Sequence, residues 1–327
     1  MEAYESRLNS TERATRRLLS WTWNLSPAYF GTALLLFAAL IFRPMLLSGV
    51  FFWVILRQAA PLGMVVLGQS MAMRCRSIDL SIGGTILAAN YIASSPYLSG
   101  WPGYLIVFTC LFLGVIIGTI NGVLITRFRG SAVIVTLAMT IIFVGIVVAL
   151  ARYTPPGEVP SLIRYFGSGR FGRAPAAPLI WIGFVVPTAL VLRHTVFGKY
   201  VDAVGSNPDA AAVSGIPYLR VIFLVHVFSG LASAIGGLLL AGFVGMGTTD
   251  AGIGQDLILN SLAAVILGGV TFGSGNGRIV GPAVGAFMLT FIFNFLTSFG
   301  FDESGKLMMQ GGIIAFAALI DASKKHS

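Results

Sequence analysis

Residues Lys199 to Gly215 read KYVDAVGSNPDAAAVSG, and they separate two long apolar stretches. The segment carries its own helix signals. Asn207 suits an N-cap, Pro208 the first helical position and Asp209 the positive end of the helix dipole. Ala210, Ala211, Ala212 and Val213 propagate the turn, and Gly215 and Pro217 stop it. A helix of about two turns is marginal alone in water. Set between membrane spans, it is expected to dock against something, and a short helix offered to a soluble partner is a handle by which a motor grips a membrane subunit.

The flanks set the class. Hydrophobic residues make up 56% of the chain and charged residues 10%, where a soluble domain carries roughly 25% charge. Mean hydropathy is +0.87. This excludes a soluble protein with one anchor and predicts an all-α, polytopic integral membrane protein. A span needs roughly 20 apolar residues, and ten stretches qualify: 28–46, 59–74, 80–97, 104–126, 131–151, 178–193, 220–245, 257–270, 279–299 and 305–321. The second, third, eighth and tenth are short or interrupted. Residues 1–26, with Arg7, Arg13, Arg16 and Arg17 ahead of Leu18, Leu19, Trp21 and Trp23, read as a cytoplasmic, interfacial segment; they show no cleavage signature. Residues 27–321 form the transmembrane domain, with a cytoplasmic coupling loop at 194–219, and 322–327 form a cytoplasmic tail.

The formal charge of +9 is assigned to loops rather than to nucleic-acid binding. With both termini inside, two thirds of the 21 Lys and Arg residues fall on inner segments, as the positive-inside rule requires. The loop at 152–177, with Arg152, Arg164, Arg170 and Arg173 outside, runs against that bias. Glycine supplies 40 of 327 residues, above the roughly 7% of average usage. The repeats Gly114, Gly118, Gly122 and Gly277, Gly281, Gly285, with Ser229, Gly230, Ser233 and Ala234, read as helix-packing stripes. Cys75 and Cys110 form no CxxC motif, and no structural disulfide is expected.

Two places break the apolar pattern: RCRSIDLSIGG at 74–84 and LGGVTFGSGNGRIVGP at 267–282. Irregular backbone at membrane depth survives only when protein or a water-filled cavity satisfies it, and broken helices of this kind line transport pathways. Two short cytoplasmic turns are the plainer alternative. Asp79 is the acid nearest the membrane, and intramembrane acids are functional candidates. It is also placed to cap a helix starting near Leu80, with Ser81 assisting, or to pair with Arg76 three residues away. Gln69, Ser70, Asn121, Thr136, Thr140, Asn260, Ser261 and Asn294 interrupt apolar runs. Amides and hydroxyls suit a neutral polyol, because they donate and accept without demanding a counter-charge; interhelical hydrogen bonding is the alternative. Of these, Gln69, Asp79, Ser81, Asn121, Thr136, Asn260 and Asn294 are the substrate-path candidates. His226 reads as a hydrogen-bonded packing residue before a ligand or proton relay. Phe291, Phe293 and Phe295 read as lipid or core contacts before a sugar platform.

Several chemistries are missing. Gly198-Lys199 and Gly305-Lys306 continue with Tyr and Leu, so no phosphate-binding GxxxxGK[ST] loop exists. No HExxH, no paired Cys/His metal pattern and no nucleophile elbow occurs. The chain is expected to hold no cofactor or metal and to hydrolyse no ATP itself. Intramembrane acids are too sparse for a chain of proton carriers.

Five stretches resemble one family in order and spacing: IDLSIGG at 78–84, NGVLITRF at 121–128, VIVTLAM at 133–139, FGKYVDAVGSNPDAAAVSGI at 197–216 and LILNSLAAVILGG at 257–269, followed by GSGNGRIVGP at 273–282. Over roughly residues 45–321 the chain resembles the inner-membrane permeases of bacterial ABC sugar importers, the ribose, xylose and galactoside group. The resemblance implies ten spans, a second permease subunit, two cytoplasmic ATPase subunits that bind the ATP, and a periplasmic substrate-binding protein. It implies import of a monosaccharide or small polyol across the bacterial inner membrane, with no catalysis by this chain. The ATPase-coupling role of the loop before the seventh span maps onto Gly198, Gly205, Asn207, Ala210, Ala211 and Gly215. The chain departs from the pattern at Arg76-Ser77, where the family usually has Gly-Gly, and at Asn276, where it often has Gly or Arg. The rival readings are a nucleoside or branched-chain amino-acid ABC permease, which shares the fold, and an ion-coupled secondary transporter, which needs a mid-membrane titratable site.

Overall fold

The computed structural model describes residues 26–270, 272 and 278–325. The expected interfacial segment before Ser26, the Gly-Ser-Gly-Asn-Gly turn at 273–277 with its Asn276, and the last two residues of the tail lie outside the described residues.

The chain is helical almost throughout. In order, the helices are α1 (Pro27–Phe42), α2 (Gly49–Arg74), α3 (Ile82–Ala93), α4 (Gly103–Thr126), α5 (Ala132–Ala151), α6 (Ser161–Ser168), α7 (Ala176–His194), α8 (Val196–Ser206), α9 (Pro208–Val213), α10 (Tyr218–Val244), α11 (Ala251–Leu267), α12 (Val280–Ser298) and α13 (Glu303–Lys325). Among the described residues, six are long and apolar enough to cross a membrane: α2, α4, α5, α7, α10 and α12. α1, α3 and α11 are apolar but shorter, at 16, 12 and 17 residues.

Helix bounds differ from the sequence reading: α1 ends at Phe42, ahead of residue 46, and α11 starts at Ala251, ahead of residue 257. α2 starts at Gly49, well before residue 59, because Arg57 and Gln58 continue the helix instead of interrupting it; Gln58 Oε1 accepts from Asn294 Nδ2 on α12 at 2.8 Å. α3 stops at Ala93, and a short 3-10 turn takes the chain out. The 152–177 loop is not plain loop. It holds α6 and a two-residue antiparallel ladder between β1 (Arg170–Phe171) and β2 (Ala174–Pro175). α6 buries Ile163 and Gly167 against α10, where a Cβ at Gly242 would meet the Ile163 carbonyl at 2.1 Å.

α10 is the centre of the packing and touches α2, α3, α4 and α6. The glycine stripes behave as packing surfaces. Gly114 and Gly118 of α4 lie on Gly230 and His226 of α10 so closely that a Cβ at Gly114 would come within 2.5 Å of the Gly230 carbonyl. Gly281 and Gly285 meet Gly268 and Ala264 in the same way. Small residues let backbones approach and gain dispersion contacts, which replace the hydrophobic drive that lipid does not supply. Phe291 is buried with Ala39, Leu46 and Ile55, a core position.

Candidate functional site

The break between α2 and α3 is built by a helix ending. The Ser77 amide bonds the Ala72 carbonyl (3.0 Å) and the Arg76 amide the Met73 carbonyl (3.2 Å). That is the Schellman pattern, which needs a left-handed residue between. The residue is Arg76, at φ +58°. α9, α11 and α12 end by the same two bonds, with Gly215, Gly269 and Gly300 in the left-handed position.

Beyond that turn residues 77–80 carry no regular structure before α3, and side chains of α5 and α10 bond to them. Thr136 Oγ1 accepts from the Leu80 amide at 3.0 Å, and Thr140 Oγ1 donates to the Leu80 carbonyl. Asp79 is fully buried. Its Oδ1 accepts from the amide of Ser81 at 2.9 Å and from the Ser81 hydroxyl. Ser81 Oγ in turn accepts from Asn121 Nδ2 on α4 at 2.8 Å. Across the break, Asp79 Oδ2 faces His226 Nδ1 of α10 at 3.9 Å, and Ser77 Oγ is 2.8 Å from His226 Nε2. A carboxylate sits favourably near the positive end of α3.

The helix-cap expectation for Asp79 is therefore revised. α3 begins at Ile82, the N-cap is Ser81, and Asp79 closes a turn ahead of it through the Ser81 amide. The Asp79–Arg76 pairing is also corrected. The left-handed turn points Arg76 the other way, and Asp79 faces His226 instead. Four substrate-path candidates come together here: Asp79, Ser81, Asn121 and Thr136. Gln69 is fully buried on α2 with neither amide atom bonded. Asn260 lies half-buried on α11 with an unbonded Oδ1. Asn294 bonds Gln58 and the Thr290 carbonyl. No hydrogen bond among the described residues joins these three to the cluster. His226 is the buried, hydrogen-bonded packing residue the sequence reading expects; Ser77, its partner, is the cluster member not named there as a candidate.

The second part of the site is the arm at 196–216. α8, unforeseen in the sequence, is a helix of 11 residues running ahead of the capped turn. Asn207 Oδ1 accepts from the amides of Asp209 (3.0 Å) and Ala210 (3.1 Å), which caps α9. Gly215 closes α9 at φ +79°. Ala210 and Val213 are exposed, Val213 at 92%. Gly198, Gly205 and Ala211 are buried within the chain. A Cβ at Gly198 would lie 1.8 Å from the Leu192 carbonyl, so this glycine lets α8 fold back on α7. The exposed part of α9 is thus Ala210, Val213 and their neighbours, while the buried positions shape the arm.

Among the described residues no group of three His, Cys, Asp or Glu side chains gathers as a metal site. A multi-pass helical bundle with a polar break at its centre, and an exposed short helix on an arm, defines a transport subunit of the membrane. The chain belongs to the family described as "Branched-chain amino acid transport system / permease component", which matches residues 51–318. It is similar to the ribose import permease protein RbsC of Escherichia coli (strain K12), 30% identical over 277 residues, covering 83% of this chain and 85% of the relative. RbsC of Bacillus subtilis (strain 168) is 30% identical over 303 residues, with 90% and 92% covered. The fructose import permease protein FrcC of Rhizobium meliloti is 31% identical over 314 residues, with 90% and 85% covered. No solved structure matches the chain.

Proposed function

We propose that this chain is the permease subunit of an ABC importer that carries a monosaccharide across the bacterial inner membrane, with ATP bound and hydrolysed on separate subunits. The observation that carries the sugar assignment is its likeness, over more than four fifths of its length, to permeases named for ribose and fructose import. In the same reading the shorter helices α1, α3, α11 and the terminal α13 join the six long ones as ten membrane elements, with both termini cytoplasmic. A second permease subunit, identical or homologous, completes the pathway, and a periplasmic binding protein delivers the sugar. The chain itself holds no cofactor.

The mechanism is mechanical. ATP-driven closure of the ATPase pair presses on α9, whose exposed Ala210 and Val213 offer a small apolar contact. α8 passes the displacement to the break at 75–81, and the pathway alternates between outward- and inward-facing forms. Asn121, Ser81, Thr136 and Thr140 are hydroxyl and amide groups of a kind suited to a neutral sugar; here they are buried and bonded within the break, so a sugar reaches them only when the break rearranges.

The test is purification of the chain from native membranes, followed by uptake of radiolabelled ribose, galactose, arabinose and fructose by proteoliposomes containing whatever co-purifies. An ATPase subunit and ATP-dependent uptake of one sugar support the reading, and Val213→Asp then removes uptake while the permease still folds. Concentrative uptake by the chain alone overturns it in favour of an ion-coupled transporter.

A further inference from the structure

We infer that Arg76 is a positioning residue that ties the coupling arm to the helix break, so that movement of α8 and α9 is transmitted to the pathway; this rests on the permease reading above. Arg76 occupies a left-handed backbone position, at φ +58°. A side chain there costs roughly 1–2 kcal/mol relative to glycine. The three equivalent helix ends use glycine, and so does the family pattern that the sequence resembles. Arg129, exposed beyond α4, is the other described non-glycine residue at positive φ, at +55°; what sets Arg76 apart is the contact its side chain makes.

Its guanidinium closes the far end of α8. Nε donates to the Gly205 carbonyl at 2.8 Å and Nη2 to the Ser206 carbonyl at 2.7 Å. These are the last carbonyls of α8, left over by the helix and at its negative end, where a cation is favoured. A second tether runs beside it, from buried Arg74 to Asp202. Asp202, Gly205 and Ser206 sit three and four residues apart and so share one face of α8. The next residue, Ser77, bonds His226 of α10, and Asp79 and Ser81 bond onward to Asn121 of α4. The segment 74–81 thus grips the arm at one end and the polar centre of the bundle at the other. A glycine at 76 leaves the helix ending intact and removes the two carbonyl bonds, so that Arg74–Asp202 remains as the single tether.

The test uses the complete complex of permease, ATPase and binding protein in proteoliposomes, with Arg76→Gly and Arg76→Lys. The readout is sugar imported per ATP hydrolysed, using the same four radiolabelled sugars. Arg76→Gly is expected to fold at least as well as the parent and to go on supporting hydrolysis. Its import per ATP is expected to drop about tenfold, the factor carried by 1.4 kcal/mol of linkage. Arg76→Lys, which reaches the carbonyls with one nitrogen, recovers part of the ratio. A ratio within about twofold of the parent, or uptake and hydrolysis falling together, overturns the inference. Hydrogen exchange gives a readout independent of the sugar. In the parent complex, ATP with vanadate is expected to change amide exchange at both 196–213 and 75–81; in Arg76→Gly the arm still responds and the change at 75–81 shrinks, with Arg74–Asp202 the remaining tether. A response at 75–81 that survives the substitution undiminished overturns the link. Absence of uptake of all four sugars by the parent complex instead counts against the sugar reading, and the exchange result still decides the role of Arg76.

Discussion

Replacing Gly114 by alanine tests the packing on which the bundle depends, with Gly145 as an internal control. The chemical change is the same, one methyl group, and both glycines lie inside long helices of the bundle. Alanine improves helix propensity by up to about 1 kcal/mol at either site. The surroundings differ. At Gly145 nothing lies within 4 Å of the new methyl. At Gly114 it would sit 2.5 Å from the Gly230 carbonyl oxygen and 2.6 Å from Ala234 Cβ. Carbon contacts are optimal at about 3.5–4.0 Å, so the overlap is about 1 Å. One collision is with backbone, which cannot swing aside, so α4 and α10 must part along their shared stripe. Overpacking of this kind costs typically 1–3 kcal/mol, which exceeds the propensity gain. A net loss of about 1–2 kcal/mol corresponds to a midpoint lower by roughly 2–6 °C. The assay is thermal unfolding of detergent-purified protein followed by size-exclusion chromatography. Gly145→Ala is expected to stay level or rise by a degree or two. Gly230→Ala, whose methyl would meet the Gly114 carbonyl at 2.2 Å, is expected to fall with Gly114→Ala. If Gly114→Ala and Gly145→Ala move the midpoint in the same direction, the close α4–α10 crossing is refuted.

Asn207→Ala removes the acceptor of both capping bonds, worth about 1 kcal/mol to a helix already marginal alone; uptake is expected to fall with the melting midpoint of the permease unchanged, and Asn207→Asp, which caps equally, to restore it. Asp79→Leu strands the Ser81 amide and hydroxyl, a loss of about 1–3 kcal/mol readable as a lower melting midpoint, whereas Asp79→Asn keeps an acceptor at the same atom and is expected to be milder. Gly198→Val drives a side chain into the Leu192 carbonyl, displacing α8 from α7; limited proteolysis is expected to cut the 194–216 arm faster in that variant, with the span-to-span core still resistant.

The parts of the fold governed by short-range signals were legible. Asn207, Pro208 and Gly215 marked the start and stop of α9 because capping and left-handed closure act within four residues. The glycine repeats marked helix contacts because a four-residue period puts them on one face. Features set by distant partners were not. Ile163 and Gly167 bury α6 on Gly242, and its eight residues were absorbed into a loop marked by its arginines because they are too few to read as a span. Val196–Ser206 hides its helix behind two glycines whose close contacts lie on α7 and at Arg76. Asp79, Ser81, Asn121 and Thr136 were each recognisable as polar residues in apolar runs. That they converge, and that His226 faces Asp79, depends on elements brought together from far along the chain. The expected Arg76–Asp79 pair failed for a local reason that spacing does not reveal: the left-handed turn reverses the direction of the Arg76 side chain.

A ribosome delivers α3 to the membrane long before the surroundings that hold it exist. At 12 residues it rises about 18 Å, short of the roughly 30 Å of hydrocarbon, so it has no independent claim on a spanning position. Val65 of α2 is there to meet it, but the neighbours it packs on most closely come later: Gly84 rests on Thr140 of α5, Ile86 on Gly237 of α10 and Gly83 on Gly254 of α11. α11 ends at Leu267, so at ~5–20 residues per second the wait is roughly 10–35 s. During that interval α3 and the buried carboxylate before it need a provisional host, in the insertion machinery or at the bilayer surface. Biogenesis of the protein therefore includes a late docking step, and quality-control proteases meet a nascent chain whose central piece waits for most of the bundle before it is enclosed.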